Sequence, residues 1–180
     1  MPGDVWLMGE HRLLCSDATQ MGDVEKVMAG GLADMVFTDP PYNIDYEGRT
    51  EKKLKIQNDK LGTKFFDFLR DACANMPAVT KGAVYICMSS SELHTLHQAF
   101  VQAGGHWSTF VIWVKNHFTL GWGDYRRQYE PILYGWREGK HALLVWRPES
   151  RGCVDGEPAR GKSRTSNNEA GGAGGACDPE

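Results

Sequence analysis

The residues best suited to chemistry stand together at Asp39-Pro40-Pro41-Tyr42, directly after the apolar run of residues 33–37. Proline fixes φ and has no N–H, so two in succession stop regular strand pairing and leave nearby acceptors without local competition. Asp39 and the Pro40 carbonyl then make a pair of acceptors. Their natural complement is a planar amino group with two hydrogens, such as the exocyclic amine of a nucleobase. Tyr42 offers a flat face on which an unstacked base can rest. In open α/β sheets ligands bind outside the carboxyl ends of the strands, which is where such a turn would stand. An ordinary Asp-Pro turn closing a strand explains the four residues equally well.

Two polar segments add candidate contacts. Residues 43–62 follow the turn and carry Arg49, Lys52, Lys53, Lys55 and Lys60, which suits a mobile lid over phosphates. Asp45, Glu47, Glu51 and Asp59 nearly cancel that charge, as they would in a solvated loop. Residues 116–127 mix His117, Phe118, Trp122 and Tyr125 with Arg126 and Arg127, a pairing that suits an unstacked base or a phosphate. A hairpin connection packed by its own aromatics has the same composition. His94 and His97 are three apart with no third ligand nearby, and the five cysteines are widely spaced and odd in number. Neither pattern predicts a metal site, and reduced thiols are expected, with Cys73 and Cys87 as small core residues.

The elements that must position these residues alternate between strand and helix. Residues 12–15 form a short apolar run, and Asp17 or Thr19 is placed to cap a helix bearing Val24, Val27 and Met28. Phe65, Leu69, Ala72, Cys73 and Met76 fall at helical spacing, and Pro77 is expected to end that helix. Residues 83–88 read as a buried strand. Ser89 and Glu92 then stand in capping-box register before a helix with Leu93, Leu96, His97 and Phe100 on one stripe, closed by Gly104-Gly105. Residues 109–114 and 128–136 are β-rich, Trp113 and Trp136 read as packing residues, and Pro131 predicts an edge strand or a bulge in the second run. The pattern implies an α/β fold: a mostly parallel sheet, an antiparallel hairpin on its C-terminal side and helices on its faces.

With 180 residues, 41% hydrophobic and 24% charged, the chain has the composition of one folded domain. Its net charge of −3 argues against holding nucleic acid by bulk positive charge, though not against a local basic face. No stretch approaches the roughly 18 apolar residues of a membrane span, and Met1-Pro2-Gly3-Asp4 does not begin a leader peptide, so a cytoplasmic protein is expected. All six tryptophans and all seven phenylalanines lie in residues 1–146, and residues 150–180 contain no aromatic. The expected division is therefore a folded unit over 1–146 and a disordered Gly/polar tail over 147–180.

Thr38-Asp39-Pro40-Pro41-Tyr42-Asn43-Ile44 resembles the catalytic motif of amino-group DNA methyltransferases. Trp6-Leu7-Met8-Gly9-Glu10-His11-Arg12-Leu13-Leu14-Cys15-Ser16-Asp17 is similar to the segment preceding that motif in the β-type, circularly permuted members, with Ser16 where glycine is usual. Gln128-Tyr129-Glu130-Pro131-Ile132-Leu133-Tyr134-Gly135-Trp136 matches a downstream segment of the same group. The tetrapeptide alone is also similar to motifs of ribosomal-RNA methyltransferases, and the downstream run favours the DNA enzymes. The resemblance implies a Rossmann-like methyltransferase fold, S-adenosyl-L-methionine as cofactor and double-stranded DNA as partner. It further implies Asp39, Pro40, Pro41 and Tyr42 as catalytic residues, with Asp39 and the Pro40 carbonyl holding the amine of an extruded base. Asp17 resembles the acidic residue at the adenine end of the cofactor, which Asp39 also approaches. DNA contacts would come from Arg49, Lys52, Lys53, Lys55, Arg126 and Arg127. Asp rather than Ser before the two prolines leans towards adenine over cytosine.

The resemblance covers residues 1 to about 146. The family's glycine-rich cofactor loop, Asp-Pro-Phe-x-Gly-Ser-Gly after a strand, has no counterpart here: Gly171-Gly172-Ala173-Gly174-Gly175 lacks the apolar strand before it. The expectation is a catalytic half, from a truncated or frame-shifted reading, that binds the cofactor weakly by itself and is served by a complementary chain carrying the loop. The alternative is an inactive remnant that binds nucleic acid or such a partner.

Overall fold

The computed structural model describes residues 1–47, 55–118 and 124–141, together with the backbone of 153–155. Two strands, β1 (Val5–Met8) and β2 (His11–Leu14), pair antiparallel as a separate hairpin. Helix α1 (Met21–Met28) follows, then β3 (Val36–Thr38), α2 (Phe65–Val79), β4 (Val84–Cys87), α3 (Leu93–Gln102), β5 (Gly105–Val114), β6 (Tyr129–Arg137) and β7 (Cys153–Asp155). The main sheet has the order β3-β4-β6-β5-β7. Its β3/β4 and β5/β7 pairs are parallel, and β4/β6 and β6/β5 are antiparallel. The α/β architecture is as expected, but the sheet is evenly mixed rather than mostly parallel, because β6 runs against both of its neighbours.

The core lies between one face of this sheet and α2 with α3. Phe65, Leu69 and Cys73 recur every four residues along α2, as do Leu96 and Phe100 along α3. They meet Val84, Ile86, Met88 and Leu133 from the sheet. Burying each such Leu or Phe contributes roughly 1.5–3 kcal/mol. Phe100 fits because two glycines make room for its ring: a Cβ on Gly135 would stand 2.7 Å from Phe100 Cε1 and 2.4 Å from the His106 carbonyl oxygen.

Successive strand residues point to opposite faces, so the other face collects Phe37, Tyr85 and Tyr134 from three adjacent strands. Tyr85 and Tyr134 have ring centroids 5.1 Å apart, and His106 stacks on Trp136 at 4.8 Å. Phe37, 60% exposed, ends this aromatic row.

Several local expectations are corrected. Pro77 lies inside α2, which continues to Val79: proline's φ is already helical and, this near the end, it removes a single ladder bond. Pro131 sits in β6, a central strand. Its carbonyl accepts from the Met88 amide at 3.1 Å just past the end of β4, so the missing N–H falls where that ladder has run out. The register shift lies in β5, between Trp107 and Thr109. No capping box forms, because the Glu92 carboxylate accepts instead from Thr95 and Asn43. Helix α1 forms, yet none of its residues is buried, and Gln20 rather than Asp17 or Thr19 stands at its N-cap. Cys153–Asp155, within the span 147–180 expected as a disordered tail, pairs with β5 as β7, and the rest of that span lies outside the described residues. Among the described residues no helix is long and apolar enough to cross a membrane.

Candidate active site

Sheet register brings four strand ends together. Thr38 pairs with Ile86, so Asp39 emerges level with Cys87. Ile132 pairs with Cys87 and runs the opposite way, which places Glu130, still within β6, just beyond the end of β4. Val114 pairs with Tyr129, so Lys115 arrives there too. None of this assembly depends on nearness in sequence.

Asp39 is exposed, and among the described residues its one hydrogen bond is from the Tyr42 hydroxyl, at 2.5 Å to Oδ1. The same hydroxyl lies 2.5 Å from Glu130 Oε1. Lys115 forms an ion pair with the other oxygen of Glu130, whose side chain is 12% exposed. The Cys87 Sγ and one oxygen of each carboxylate lie within 4.8 Å of one another. Burial above all, and then the hydrogen bonds and negative charges of Asp39 and Glu130, raise the Tyr42 pKa far above the ordinary phenolic value. Burial, followed by the same two carboxylates, pushes the Cys87 thiol up to about 11. Both groups are therefore protonated at neutral pH.

A proton count shows what the cluster lacks. A hydroxyl has one hydrogen and can satisfy one carboxylate at a time, yet two press against the Tyr42 oxygen. The site is short of a donor. No hydrogen bond among the described residues reaches the Pro40 carbonyl either. Asp39 and Pro40 therefore present acceptors at the open end of the sheet.

Asp59 fixes the backbone that carries Tyr42. It is 3% exposed, and its carboxylate accepts from the amides of Tyr42 at 2.9 Å, Ile44 at 3.4 Å and Tyr46 at 2.7 Å. Asn43, at φ 59°, turns its Oδ1 onto the amides of Leu61 and Gly62, each at 2.9 Å. The two arms of the 43–62 loop are thus pinned to each other, one just after the turn that follows β3 and the other just before α2. Lys60 is paired with Asp45 at 2.6 Å, and Lys55 lies at a β-bridge with Glu47. Arg49, Lys52 and Lys53 lie outside the described residues, as does Trp122.

The remaining candidates stand apart from this cluster. The Arg126 guanidinium lies 4.9 Å over the Phe118 ring, and Arg127 donates to the hydroxyls of Ser89 at 3.0 Å and Ser90 at 2.9 Å. Asp17 Oδ1 accepts from the amide and hydroxyl of Thr19, closing a turn before α1, and no hydrogen bond joins it to Asp39. Sequence reasoning did not single out Glu130, Lys115 or Asn43, and it treated Asp59 as surface charge. The signal available was register: once β4, β5 and β6 are adjacent, residues 87, 115 and 130 share one end.

The chain is similar to the Type II methyltransferase M.HpaI of Haemophilus parainfluenzae, with 29% identity over 126 residues. That match covers 68% of this chain and 36% of the relative, so the chain spans little more than a third of the length of the curated protein it matches. In structure it is similar to M1.HpyAVI, with a TM-score of 0.51 and 17% identity over 78% of this chain and 64% of that one, a likeness of fold. The M1.HpyAVI-SAM complex gives a TM-score of 0.49, with 15% identity over 75% of this chain and 60% of that one. No family profile matches. In sequence and fold the chain thus resembles DNA methyltransferases, as its motifs imply.

Proposed function

We propose that this chain is the base-gripping half of an amino-group DNA methyltransferase, which transfers a methyl group from S-adenosyl-L-methionine to the exocyclic amine of adenine, or of cytosine, in double-stranded DNA. The observation that carries this reading is the donor deficit at Asp39. An exocyclic amine brings two N–H groups, one for the Asp39 carboxylate and one for the Pro40 carbonyl. The Tyr42 ring beside them is a stacking face for an extruded base. Held in this way, the amine has its lone pair directed out of the plane of its donors, and Asp39 offsets the positive charge that develops on nitrogen. Much of the catalysis is positioning, because the sulfonium donor is already activated.

The described residues fit one end of that donor. Asp17 keeps Oδ2 free of hydrogen bonds, although Thr19 holds its Oδ1. No glycine-rich cradle after a strand is present among the described residues, so no step is derived through the donor. A complementary polypeptide that supplies the cradle is part of the proposal. Arg49, Lys52, Lys53, Lys55, Arg126 and Arg127 are the proposed DNA contacts. Two of these, Arg126 and Arg127, must exchange their present partners for phosphates.

The test is incorporation of labelled methyl from S-adenosyl-L-methionine into mixed-sequence DNA, with Asp39→Ala as control. Incorporation lost in the control supports the enzyme. DNA binding without incorporation supports the inactive remnant, and a preference for structured RNA supports an RNA methyltransferase.

A further inference from the structure

The Tyr42 hydroxyl donates to Asp39 Oδ1, so the carboxylate that the proposed amine would grip already shares one of its two oxygens with a neighbour. Releasing that oxygen would cost a charge-assisted hydrogen bond if the hydroxyl had nowhere to go. It has somewhere: Glu130 Oε1 lies at the same 2.5 Å. Rotation about the single C–O bond of the phenol carries the hydrogen from Asp39 to Glu130 with no heavy atom displaced. Lys115 holds Glu130 through its second oxygen, and Glu130 is far less exposed than Asp39, so it is a fixed acceptor rather than a competing ligand.

We infer that Glu130 is a positioning residue that receives the Tyr42 hydroxyl proton bond when Asp39 takes its ligand, leaving the Tyr42 ring in place. Lys115 keeps Glu130 aligned for this exchange. The inference deepens the reading of Asp39 as an amine clamp and rests on it. The groups facing the hydroxyl are Asp39 after β3, Cys87 on β4, Lys115 after β5 and Glu130 on β6. Of these only the two carboxylates accept from it.

A double-mutant cycle on the full chain tests the exchange without requiring turnover. The carboxyl carbons of Asp39 and Glu130 are followed by carbon-13 NMR at one neutral pH, in wild type, Tyr42→Phe, Glu130→Gln and the double variant. If the hydroxyl is shared, Tyr42→Phe moves the chemical shifts of both carboxyl carbons. With Glu130→Gln, whose neutral amide is a weaker acceptor, the hydroxyl settles on Asp39, and Tyr42→Phe then moves the Asp39 carbon further than it does in wild type. An unmoved Glu130 carbon, or an equal Asp39 displacement in both backgrounds, would overturn the inference. Should Glu130→Gln lose its dispersed spectrum, Glu130→Asp, which draws the acceptor back by one methylene, takes its place in the cycle. Methyl transfer is read separately, with Asp39→Ala beside the same four proteins. Transfer that Asp39→Ala leaves unchanged counts against the amine clamp, while the carboxyl shifts still decide the role of Glu130.

Discussion

At the scale of single residues, Asp59 carries more of the site than its distance from Asp39 in the sequence suggests. Three amides from the Tyr42–Tyr46 stretch end on one buried carboxylate. Removing it strands donors that have lost their water, so Asp59→Ala is expected to cost about 2–4 kcal/mol in urea unfolding. It should also broaden the Tyr42 ring signals. Asn at this position keeps one acceptor oxygen and should cost less. The buried thiols set a second expectation. Burial pushes Cys73 up to about 12, and Cys87 is held at about 11, against 9.0 for a free thiol. A group whose pKa is raised by folding contributes stability that is whole below its unfolded value and is lost as pH rises through the folded one. Stability should therefore decline from about pH 9 upward, seen as an alkaline fall in the unfolding midpoint that Cys73→Ala reduces. At pH 8, Cys15, the exposed free cysteine among the described residues, should react with a thiol reagent well before Cys73 or Cys87.

At the scale of elements, the helices were legible because their apolar residues recur at three and four, and both α2 and α3 bury those residues. Less legible were the features set by neighbours that a linear reading cannot see. The prolines are examples: Pro77 predicts a helix stop and Pro131 an edge strand or a bulge, yet each sits where the lost donor has little to meet. The separate β1–β2 hairpin was missed, because four-residue strands with mostly exposed side chains leave no strong alternation. The turn at Asp39 was legible from two prolines after an apolar run. Its partners Lys115 and Glu130 were not, because their nearness comes from the pairing of β5 with β6 and β6 with β4. Gly135 tests that packing directly. A methyl group there meets both backbone and the Phe100 ring, so Gly135→Ala should destabilise the fold by about 1–3 kcal/mol in thermal or urea unfolding. A neutral effect would mean that α3 does not lie this close to β6.

For the molecule as a whole, the core is one-sided. The α2/α3 face of the sheet is covered. On the other side Phe37 is 60% exposed, and on the hairpin Trp6 is 58% and Leu7 72% exposed. Apolar surface left in this state favours association, so the chain alone should sediment as more than a monomer, and covering that surface should raise its stability. The same incompleteness predicts an affinity for S-adenosyl-L-methionine weaker than millimolar in isothermal titration, and a micromolar constant would contradict it. The claim on which the account turns is that Asp39 grips the amine of a base. Its most direct test is the position of the methyl group in DNA digested to nucleosides, after incubation with the chain and millimolar labelled donor. The account predicts label on the exocyclic nitrogen, falling roughly a hundredfold or more in Asp39→Ala. Label on a ring carbon, or label unchanged in that variant, would contradict it.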